Sequence, residues 1–383
     1  MSRRRAMITG VHNTRAGKIE GSSCMSLHAE PTLGALVDAG LARGDIDGLL
    51  CAYSFTEPHL MLGSIVAEYM GLSPSYIASV SMGGVTGASL VMQAAALVEA
   101  GYCRNVLVVA GDNRLTGNID AVAALAGVGS PQFEQIYGMT VPAAYGLVAQ
   151  RYMHEFHLTP EHLAAVAVTA RQHAALHPDA QMRAPITIAD VLKSRPIAEP
   201  LRLLDCCLIS DGGAACIISA PEVASDRPKR MVEILGSGQG HTHEHIVSAP
   251  SLVDYGCKAA GRLAFERAGV RAADIDVAEI YDSFTITLIA ELESIGFFER
   301  GAAGPAALAG ELGLGGRLPC NTHGGLLSFG HSGAAGGLWH VVEAVRQLRG
   351  EAGPRQVKDA ELAFVHGDGG ILSAHCSLVF GRR

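Results

Sequence analysis

Short apolar runs alternate with longer helix-like segments along much of the chain. The strand-like runs, rich in aliphatic residues, are residues 48–53, 105–110, 277–281 and 361–366. Two longer segments, residues 84–101 and 333–350, combine apolar positions at helical spacing with glycines near both ends. This alternation predicts an α/β fold in which right-handed crossovers place helices over mixed sheets.

Segments of the first half of the sequence recur in the second half in the same order. Residues 44–56, which read GDIDGLLCAYSFT, match residues 273–285, ADIDVAEIYDSFT, at an offset of 229 (273 − 44). The helix-like residues 84–101 match residues 333–350 in length and in three glycines, at an offset of 249 (333 − 84). Matches in one order with slowly growing offsets are typical of a duplicated unit with insertions.

A third match completes the repeat. The segment VVAGDN, residues 108–113, matches FVHGDG, residues 364–369, at an offset of 256 (364 − 108). We therefore predict two similar halves, residues 1–225 and 226–383. Residues 113–205 fit neither half, and we expect this insertion to carry a binding surface, as long insertions often do.

Composition narrows the classes of function. With 383 residues, of which 49% are hydrophobic and 17% charged, the chain can bury a large core. A net charge of −8 without clustered Lys and Arg argues against a nucleic-acid binder. No apolar run has the length of a membrane span, and the initial MSRRRAM lacks the apolar stretch of a secretory signal, so we expect a cytoplasmic protein. Nine irregularly spaced cysteines indicate reduced thiols.

Four segments, spread over most of the chain, carry a family resemblance. They are LRLLDCCLISDGGAA (201–215), YDSFTITLIAELESIGFFERG (281–301), NTHGGLLSFGHSGAAGG (321–337) and HGDGG (366–370). Together they resemble the thiolase superfamily, in particular its bacterial branch related to sterol-carrier-protein-type thiolases and steroid side-chain aldolases. The resemblance implies a five-layered αβαβα subunit that forms a homodimer, a coenzyme A thioester as substrate and no bound cofactor.

Both cysteines of an ordinary thiolase are missing. The nucleophilic cysteine of the family begins the long helix of the first half, and this position falls on Gly84. Ser81 and Thr86 lie nearby, either as replacement hydroxyl nucleophiles or as a strand-end residue and a helix cap. The place of the second cysteine is taken by His366 or an immediate neighbour. We therefore expect no acyl-enzyme by the usual route.

Polar residues of the second half remain as catalytic candidates. The resemblance places His331 at the Gly-His position of the family and Tyr281 at the start of the motif that reads Asn-Glu-Ala-Phe in many thiolases. Ala52 matches Tyr281 in the first copy, so the repeated fold does not require a ring there. Tyr281 as a core aromatic and His323 as an exposed loop residue are the alternatives. We predict Tyr281, His331, His323 and His366 as catalytic residues.

A second set of residues is predicted to contact the substrate. Most are small or polar residues that flank the catalytic candidates: Gly84, Ser81, Thr86, Asp282, Asn321, Ser332, Gly369 and Gly370. The histidines of HTHEH, at 241, 243 and 245, have a spacing that zinc can use, but no cysteine or carboxylate with ligand spacing accompanies them. We expect no metal and a substrate-entrance role for this loop.

Three functions fit these observations. The first is formation or cleavage of a carbon–carbon bond in a CoA thioester by retro-aldol or retro-Claisen chemistry, which needs a proton-transfer group and a site for the enolate but no acyl-enzyme. The second is acyl transfer with another nucleophile, as in an acetyl-CoA acetyltransferase. The third is a non-catalytic acyl-CoA-binding subunit, since proteins of this branch often pair with a small OB-fold and zinc-ribbon protein.

Overall fold

The structure is a computed structural model that describes residues 5–117, 127–224 and 231–382. The strands are β1 Met7–Asn13, β2 Gly48–Ala52, β3 Tyr76–Val80, β4 Asn105–Asn113, β5 Pro196–Ala198, β6 Leu201–Arg202, β7 Asp211–Ser219, β8 Val232–His241, β9 Val277–Ile280, β10 Leu362–Gly369 and β11 Ala374–Arg382. The predicted boundary between residues 225 and 226 lies outside the described residues, as do residues 118–126 of the predicted insertion.

The helices alternate with these strands as the apolar pattern predicts. They are α1 Cys24–Ala39, α2 Leu62–Met70, α3 Thr86–Glu99, α4 Val141–Phe156, α5 Pro160–Ala175, α6 Ile188–Lys193, α7 Pro221–Ala224, α8 Cys257–Ala268, α9 Thr285–Ile295, α10 Ala303–Leu308 and α11 Ala334–Arg349. The two long segments predicted as helices correspond to α3 and α11. No helix within the described ranges combines the length and the apolar character that crossing a membrane requires.

Nine strands form one sheet that contains the same arrangement twice. Its order is β3-β2-β4-β7-β1-β8-β11-β10-β9. In the first half β7 pairs antiparallel with β1 and β4, and β4 pairs parallel with β2. In the second half β11 pairs antiparallel with β8 and β10, and β10 pairs parallel with β9. The duplication inferred from the sequence is therefore present in the strand pairing, and the α/β prediction is confirmed.

Two helices fill the space between the halves. Both α3 and α11 contact strands of the first and of the second half, whereas α1 contacts mainly strands of the first half and α8 strands of the second. The result is five layers, with α3 and α11 in the middle. The halves also join directly where Met7 and Ile8 of β1 pair antiparallel with Glu233 and Val232 of β8.

Glycines allow α3 and α11 to approach backbone to backbone. A Cβ atom on Gly87 would lie 2.8 Å from the Leu338 nitrogen, and one on Gly337 would lie 2.7 Å from the Gly84 carbonyl oxygen. Real Cβ contacts of this length are too short to persist, so any side chain would force the helices apart. The repeated glycines of the sequence thus set the spacing of the central layer.

We expect Gly87→Ala to lower the free energy of unfolding by about 1–3 kcal/mol, because the added methyl group overpacks the contact between α3 and α11. Urea unfolding followed by circular dichroism measures the change. Gly315→Ala is the matched control, since a Cβ there meets no atom within 4 Å, and it should change stability by less than about 0.5 kcal/mol. Equal stability of the two variants would contradict this account of the central layer.

Candidate active site

Tyr281 and His331 form a hydrogen-bonded pair. Tyr281 directly follows β9, and His331 follows a π-helical turn, Gly325–Phe329, that precedes α11. The Tyr281 hydroxyl oxygen lies 2.7 Å from His331 Nε2. Two of the residues predicted as catalytic, 50 positions apart (331 − 281), therefore share one hydrogen bond.

Two predicted substrate contacts instead hold the backbone that carries this pair. The Asn321 side chain accepts from the Ile280 N–H at 2.7 Å and donates to the Ile280 carbonyl at 2.8 Å. The Asp282 carboxylate accepts from the Leu326 N–H at 2.7 Å. Gly325 has a φ of 61°, and a Cβ there would lie 2.0 Å from Asp282 Oδ2, so glycine is required. Asn321 and Asp282 lie outside the cavity lining and have a positioning role.

His331 is fixed through its main chain as well. Its N–H donates to the Ser210 hydroxyl at 2.9 Å, and its carbonyl accepts from the Ser210 N–H at 3.0 Å. Ser210 belongs to the segment LRLLDCCLISDGGAA, which carries the family resemblance but was assigned no site residue. This segment of the first half therefore holds the main chain of His331, which belongs to the second half.

Arg114 determines the tautomer of His331. Its Nη1 atom lies 2.8 Å from His331 Nδ1. A guanidinium group has only donors, so Nδ1 must accept and the neutral imidazole carries its proton on Nε2. That N–H then donates to the Tyr281 oxygen, which leaves the Tyr281 hydroxyl proton available to another acceptor. Arg114 was not among the predicted site residues, although an arginine directly after β4, at the end of a buried strand, was a usable signal.

Burial keeps both members of the pair neutral. It lowers the pKa of His331 to about 3, and the Arg114 charge acts in the same direction. It raises the pKa of Tyr281 well above its ordinary value, and the Arg114 charge opposes that rise. At neutral pH the pair therefore consists of the Tyr281 phenol and the uncharged His331 imidazole, and the Arg114 guanidinium lies on the other side of the imidazole.

The pair lines a mainly apolar cavity of about 270 Å³. Of the other predicted site residues, Gly84 and Gly370 also line it. The predicted insertion contributes several apolar side chains, Val128, Val141, Pro142, Tyr145, Ile197 and Leu203. Tyr281, His331 and these side chains come from distant parts of the chain, so the cavity exists only in the folded protein.

A side chain at Gly84, the position predicted for the nucleophilic cysteine, would collide with Tyr281. A Cβ on Gly84 would lie 2.1 Å from the Tyr281 hydroxyl oxygen and 2.5 Å from the Asp368 carbonyl oxygen. No side chain fits there while the Tyr281 ring is in place. The tyrosine thus takes the space that a cysteine needs.

The two nearby hydroxyl groups lie outside the cavity lining. Thr86 is buried at the start of α3, and its hydroxyl donates to the Gly83 carbonyl at 2.6 Å, so it is committed to the helix start. Ser81 is exposed. The predicted substrate contacts Ser332 and Gly369 are buried and also lie outside the lining.

Two of the four predicted catalytic residues lie in the core. His323 Nδ1 is 2.9 Å from a Glu279 carboxylate oxygen, and His366 Nδ1 is 2.8 Å from the Ser377 hydroxyl. Both histidines are buried and neither lines the cavity. Asp368, two positions beyond His366 on β10, is the acidic residue of HGDGG that reaches the cavity. Asp368 was not among the residues predicted for the site, and which residue takes the place of the second cysteine stays a prediction.

Two cysteines that the sequence argument did not consider do line the cavity. They are Cys206 and Cys207. Burial raises the pKa of each thiol to about 12, so both are protonated at neutral pH and are poor nucleophiles. The ring nitrogens of His331 are already engaged by Tyr281 and Arg114. The geometry provides no cysteine–histidine pair at this histidine.

Comparison with known proteins places this architecture in a family. Residues 238–382 match the family model described as thiolase C-terminal domain-like. The chain is 33% identical over 385 residues to the acetyl-CoA acetyltransferase of Methanothermobacter thermautotrophicus, covering 98% of this chain and 99% of that protein. The chain belongs to the thiolase superfamily. The identification made from sequence motifs is confirmed.

Other members of the thiolase superfamily are similar over most of the chain. The steroid side-chain-cleaving aldolase of Thermomonospora curvata is 34% identical over 363 residues, 90% of each protein. A solved structure described as the Ltp2-ChsH2(DUF35) aldolase superposes with a TM-score of 0.89 at 33% identity, covering 99% of this chain and 98% of that chain. The fold is therefore that of a thiolase, and the enzymes it resembles include aldolases.

We expect His331 to remain an Nε2–H tautomer and to stay neutral from about pH 8 to about pH 5, because its lowered pKa lies below this window. Nitrogen chemical shifts of isotope-labelled histidine, assigned with a His331→Gln variant, measure both properties. Arg114→Met should remove the tautomer preference without unfolding the chain. A wild-type Nδ1–H tautomer, or protonation near the ordinary histidine pKa, would show that Arg114 does not hold the ring in this way.

Proposed function

We propose that the chain forms or breaks a carbon–carbon bond of a coenzyme A thioester by aldol chemistry, with Tyr281 as the proton-transfer group. The observation that carries this proposal is the Tyr281 ring above Gly84. A proton-transferring hydroxyl occupies the space of the thiolase nucleophile, and His331 donates a hydrogen bond to it. An aldol reaction needs such a group and does not need an acyl-enzyme.

The proposed reaction is an aldol cleavage or the reverse condensation. In cleavage, the β-hydroxyl group of the acyl chain loses its proton to a base and its oxygen becomes a carbonyl. The bond between the α and β carbons breaks, and its electron pair forms the thioester enolate, which then takes a proton at the α carbon. In the reverse direction a phenol supplies the proton that the new hydroxyl receives.

Tyr281 has the environment for the β-hydroxyl proton transfer. In condensation the phenol gives its proton to the new β-oxygen and the phenolate then regains a proton from water. Cleavage is the reverse, in which the phenol first loses its proton to water and the phenolate accepts the β-hydroxyl proton. The negative charge of the phenolate would be stabilised by the His331 Nε2–H and by the guanidinium of Arg114 behind it. Burial raises the Tyr281 pKa, so the phenol is the resting form. A substrate that enters the cavity therefore forms its first hydrogen bond with the phenol.

Acyl transfer has less support from the geometry. It needs a nucleophile that reaches the thioester carbon, and Thr86 and Ser81 lie outside the cavity lining. The cavity thiols, Cys206 and Cys207, are protonated at neutral pH. One similar protein is named an acetyl-CoA acetyltransferase and another a steroid side-chain-cleaving aldolase. The arrangement around Tyr281 favours the second activity.

The apolar lining supports an apolar acyl group. We propose CoA thioesters of steroid side chains as the first substrates to assay, because a relative that is 34% identical is named for cleaving them. We also propose a partner subunit, the small OB-fold and zinc-ribbon protein expected from the resemblance. The support is that the similar aldolase structure is described as a pair, Ltp2 with ChsH2(DUF35).

A catalytic test uses Tyr281→Phe, His331→Ala and the double variant. Each single change should lower turnover by about two to four orders of magnitude, because each removes part of one proton-transfer unit. For the same reason the double variant should be little worse than the poorer single variant. Release of the carbonyl product from a β-hydroxyacyl-CoA, in the presence of the partner subunit, measures turnover.

Tyr102→Phe is the matched control for that test, since Tyr102 is 77% exposed and lies outside the cavity. It should keep wild-type turnover. Fully additive losses in the double variant, or normal turnover of Tyr281→Phe on a verified substrate, would overturn the assignment. Acyl-CoA binding without turnover, with or without the partner subunit, would instead favour the non-catalytic subunit.

We propose that the chain forms a homodimer through β3. This strand is the outer edge of the sheet, and Tyr76 and Ile77 on it are 38% and 39% exposed. An edge strand with exposed apolar side chains presents unpaired backbone groups to a second copy. The exposed Leu60 and Met61 lie just before α2, the helix that packs on β3.

Light scattering should report about twice the 39.9 kDa chain mass at micromolar concentration. Ile77→Lys should shift the protein to monomer, because a charge would be buried against the partner strand. Val37→Lys, at an 82% exposed position of α1, should leave the dimer intact. A wild-type protein that is only monomeric would remove this proposal and leave the catalytic one standing.

A further inference from the structure

Three buried polar side chains meet in the second half, outside the Tyr281–His331 pair. Glu291 lies on α9, His366 on β10 and His375 on the adjacent β11. Each is no more than 1% exposed. Asp368 lies opposite His375 in the register of β10 and β11, so a fourth polar group adjoins the three.

Glu291 lacks the partners that a buried carboxylate requires. Neither of its carboxylate oxygens has a hydrogen-bond partner among the described residues, although the side chain is fully buried. Asp368 Oδ1 is unpartnered within the same part of the chain. Burying an isolated carboxylate costs far more free energy than one hydrogen bond returns, so it needs either a proton or a cation. The nearest groups are the two histidine rings.

The distances between these groups fit a metal ion. His366 Nε2 lies 3.2 Å from His375 Nδ1 and 3.6 Å from Glu291 Oε1. His375 Nδ1 lies 3.7 Å from Glu291 Oε1 and 3.9 Å from Asp368 Oδ1. Zinc holds nitrogen and oxygen donors at about 2.0–2.2 Å, which puts the donors of a tetrahedral site about 3.3–3.6 Å apart. The donor atoms of Glu291, His366 and His375 lie within 4.8 Å of one another, close to this spacing.

We propose that Glu291, His366 and His375 bind one divalent transition-metal ion of the zinc class, next to Asp368. Two imidazoles and a carboxylate are the donor set that such ions prefer. The Ser377 hydroxyl lies 2.8 Å from His366 Nδ1, so it can fix the ring with the Nε2 lone pair toward the ion. This proposal departs from the expectation of a chain without metal.

Two other groups of histidines are less suitable as metal sites. Glu279, His323 and His340 are also close enough to share an ion. However, both Glu279 oxygens already accept hydrogen bonds, from Thr322 at 2.8 Å and from His323 at 2.9 Å. In the HTHEH loop, His243 contacts Thr242 and the Ile371 carbonyl through its two ring nitrogens. Only the Glu291 group combines ligand spacing with an unpartnered carboxylate among the described residues.

The proposed ion would lie next to the substrate cavity. Asp368 Oδ2 accepts a hydrogen bond from the Tyr145 hydroxyl at 2.7 Å, and both residues line the cavity. A cation held by Glu291, His366 and His375 would attract the neighbouring Asp368 carboxylate, which orients the Tyr145 hydroxyl. The ion would thereby set the charge of the cavity wall facing Tyr281.

The test is a metal titration of the whole chain after dialysis against a chelator. Zn²⁺ and, as a spectroscopic probe, Co²⁺ are added, and bound metal per chain is measured by mass spectrometry of the elements. We expect one ion per chain and visible Co²⁺ absorption typical of four-coordinate geometry. Glu291→Gln, which preserves the shape of the side chain, should weaken binding by at least about tenfold.

Controls separate this site from the others. The double variant His241→Ala/His245→Ala and the variant Glu279→Gln should each keep the ion. Thermal unfolding should show that Zn²⁺ raises the wild-type midpoint more than that of Glu291→Gln, since an ion that binds only the folded state stabilises it. No Zn²⁺ or Co²⁺ bound by the folded wild type, or equal binding by Glu291→Gln, would overturn the proposal and leave a proton as the partner of Glu291.

Discussion

Tyr281 and Gly84 occupy a space that holds only one side chain. The ring of Tyr281 lies where a Cβ on Gly84 would have to be. A cysteine at position 84, just before α3, and a tyrosine at position 281, after β9, are therefore mutually exclusive in this arrangement. The cavity therefore presents the Tyr281 hydroxyl group at this point and no side chain from residue 84.

A rigid backbone is required to hold the Tyr281 ring next to Gly84. Asn321 ties down the end of β9, and Asp282 ties down the π-helical turn before His331. Both side chains are buried and use backbone N–H groups as partners, so they fix the two ends of the Tyr281–His331 hydrogen bond independently. This explains why the polar residues beside the pair do not themselves face the cavity.

The charge of Arg114 acts on Tyr281 through His331, which is itself neutral. Arg114 packs its guanidinium 4.8 Å from the centre of the Phe55 ring and donates to His331. Because burial keeps the imidazole uncharged, the arginine charge reaches Tyr281 through one oriented ring and not by direct contact. The cavity thus combines Arg114, Tyr53 and Phe55 of the first half with Tyr281 and His331 of the second. The two copies of the duplicated unit have diverged into complementary parts.

The sequence by itself determined the duplicated α/β fold and singled out Tyr281 and His331 as candidate site residues. Strand periodicity, glycine spacing and the repeat are local properties, so they predicted β2, β4, β9 and β10 to within a few residues. Family motifs then identified the two side chains. Neither the local sequence patterns nor the family motifs depend on how distant segments pack.

Only the tertiary structure decided which neighbours of that pair reach the cavity. Arg114 and Tyr145 arrive through crossovers and through the insertion, and no local pattern encodes their distance from His331. His323 and His366 carry the same imidazole as His331, yet they lie in the core beside Glu279 and Ser377. The physical reason is that a side chain's environment depends on the direction of its backbone and on the packing of both halves, whereas its chemistry depends on its identity alone.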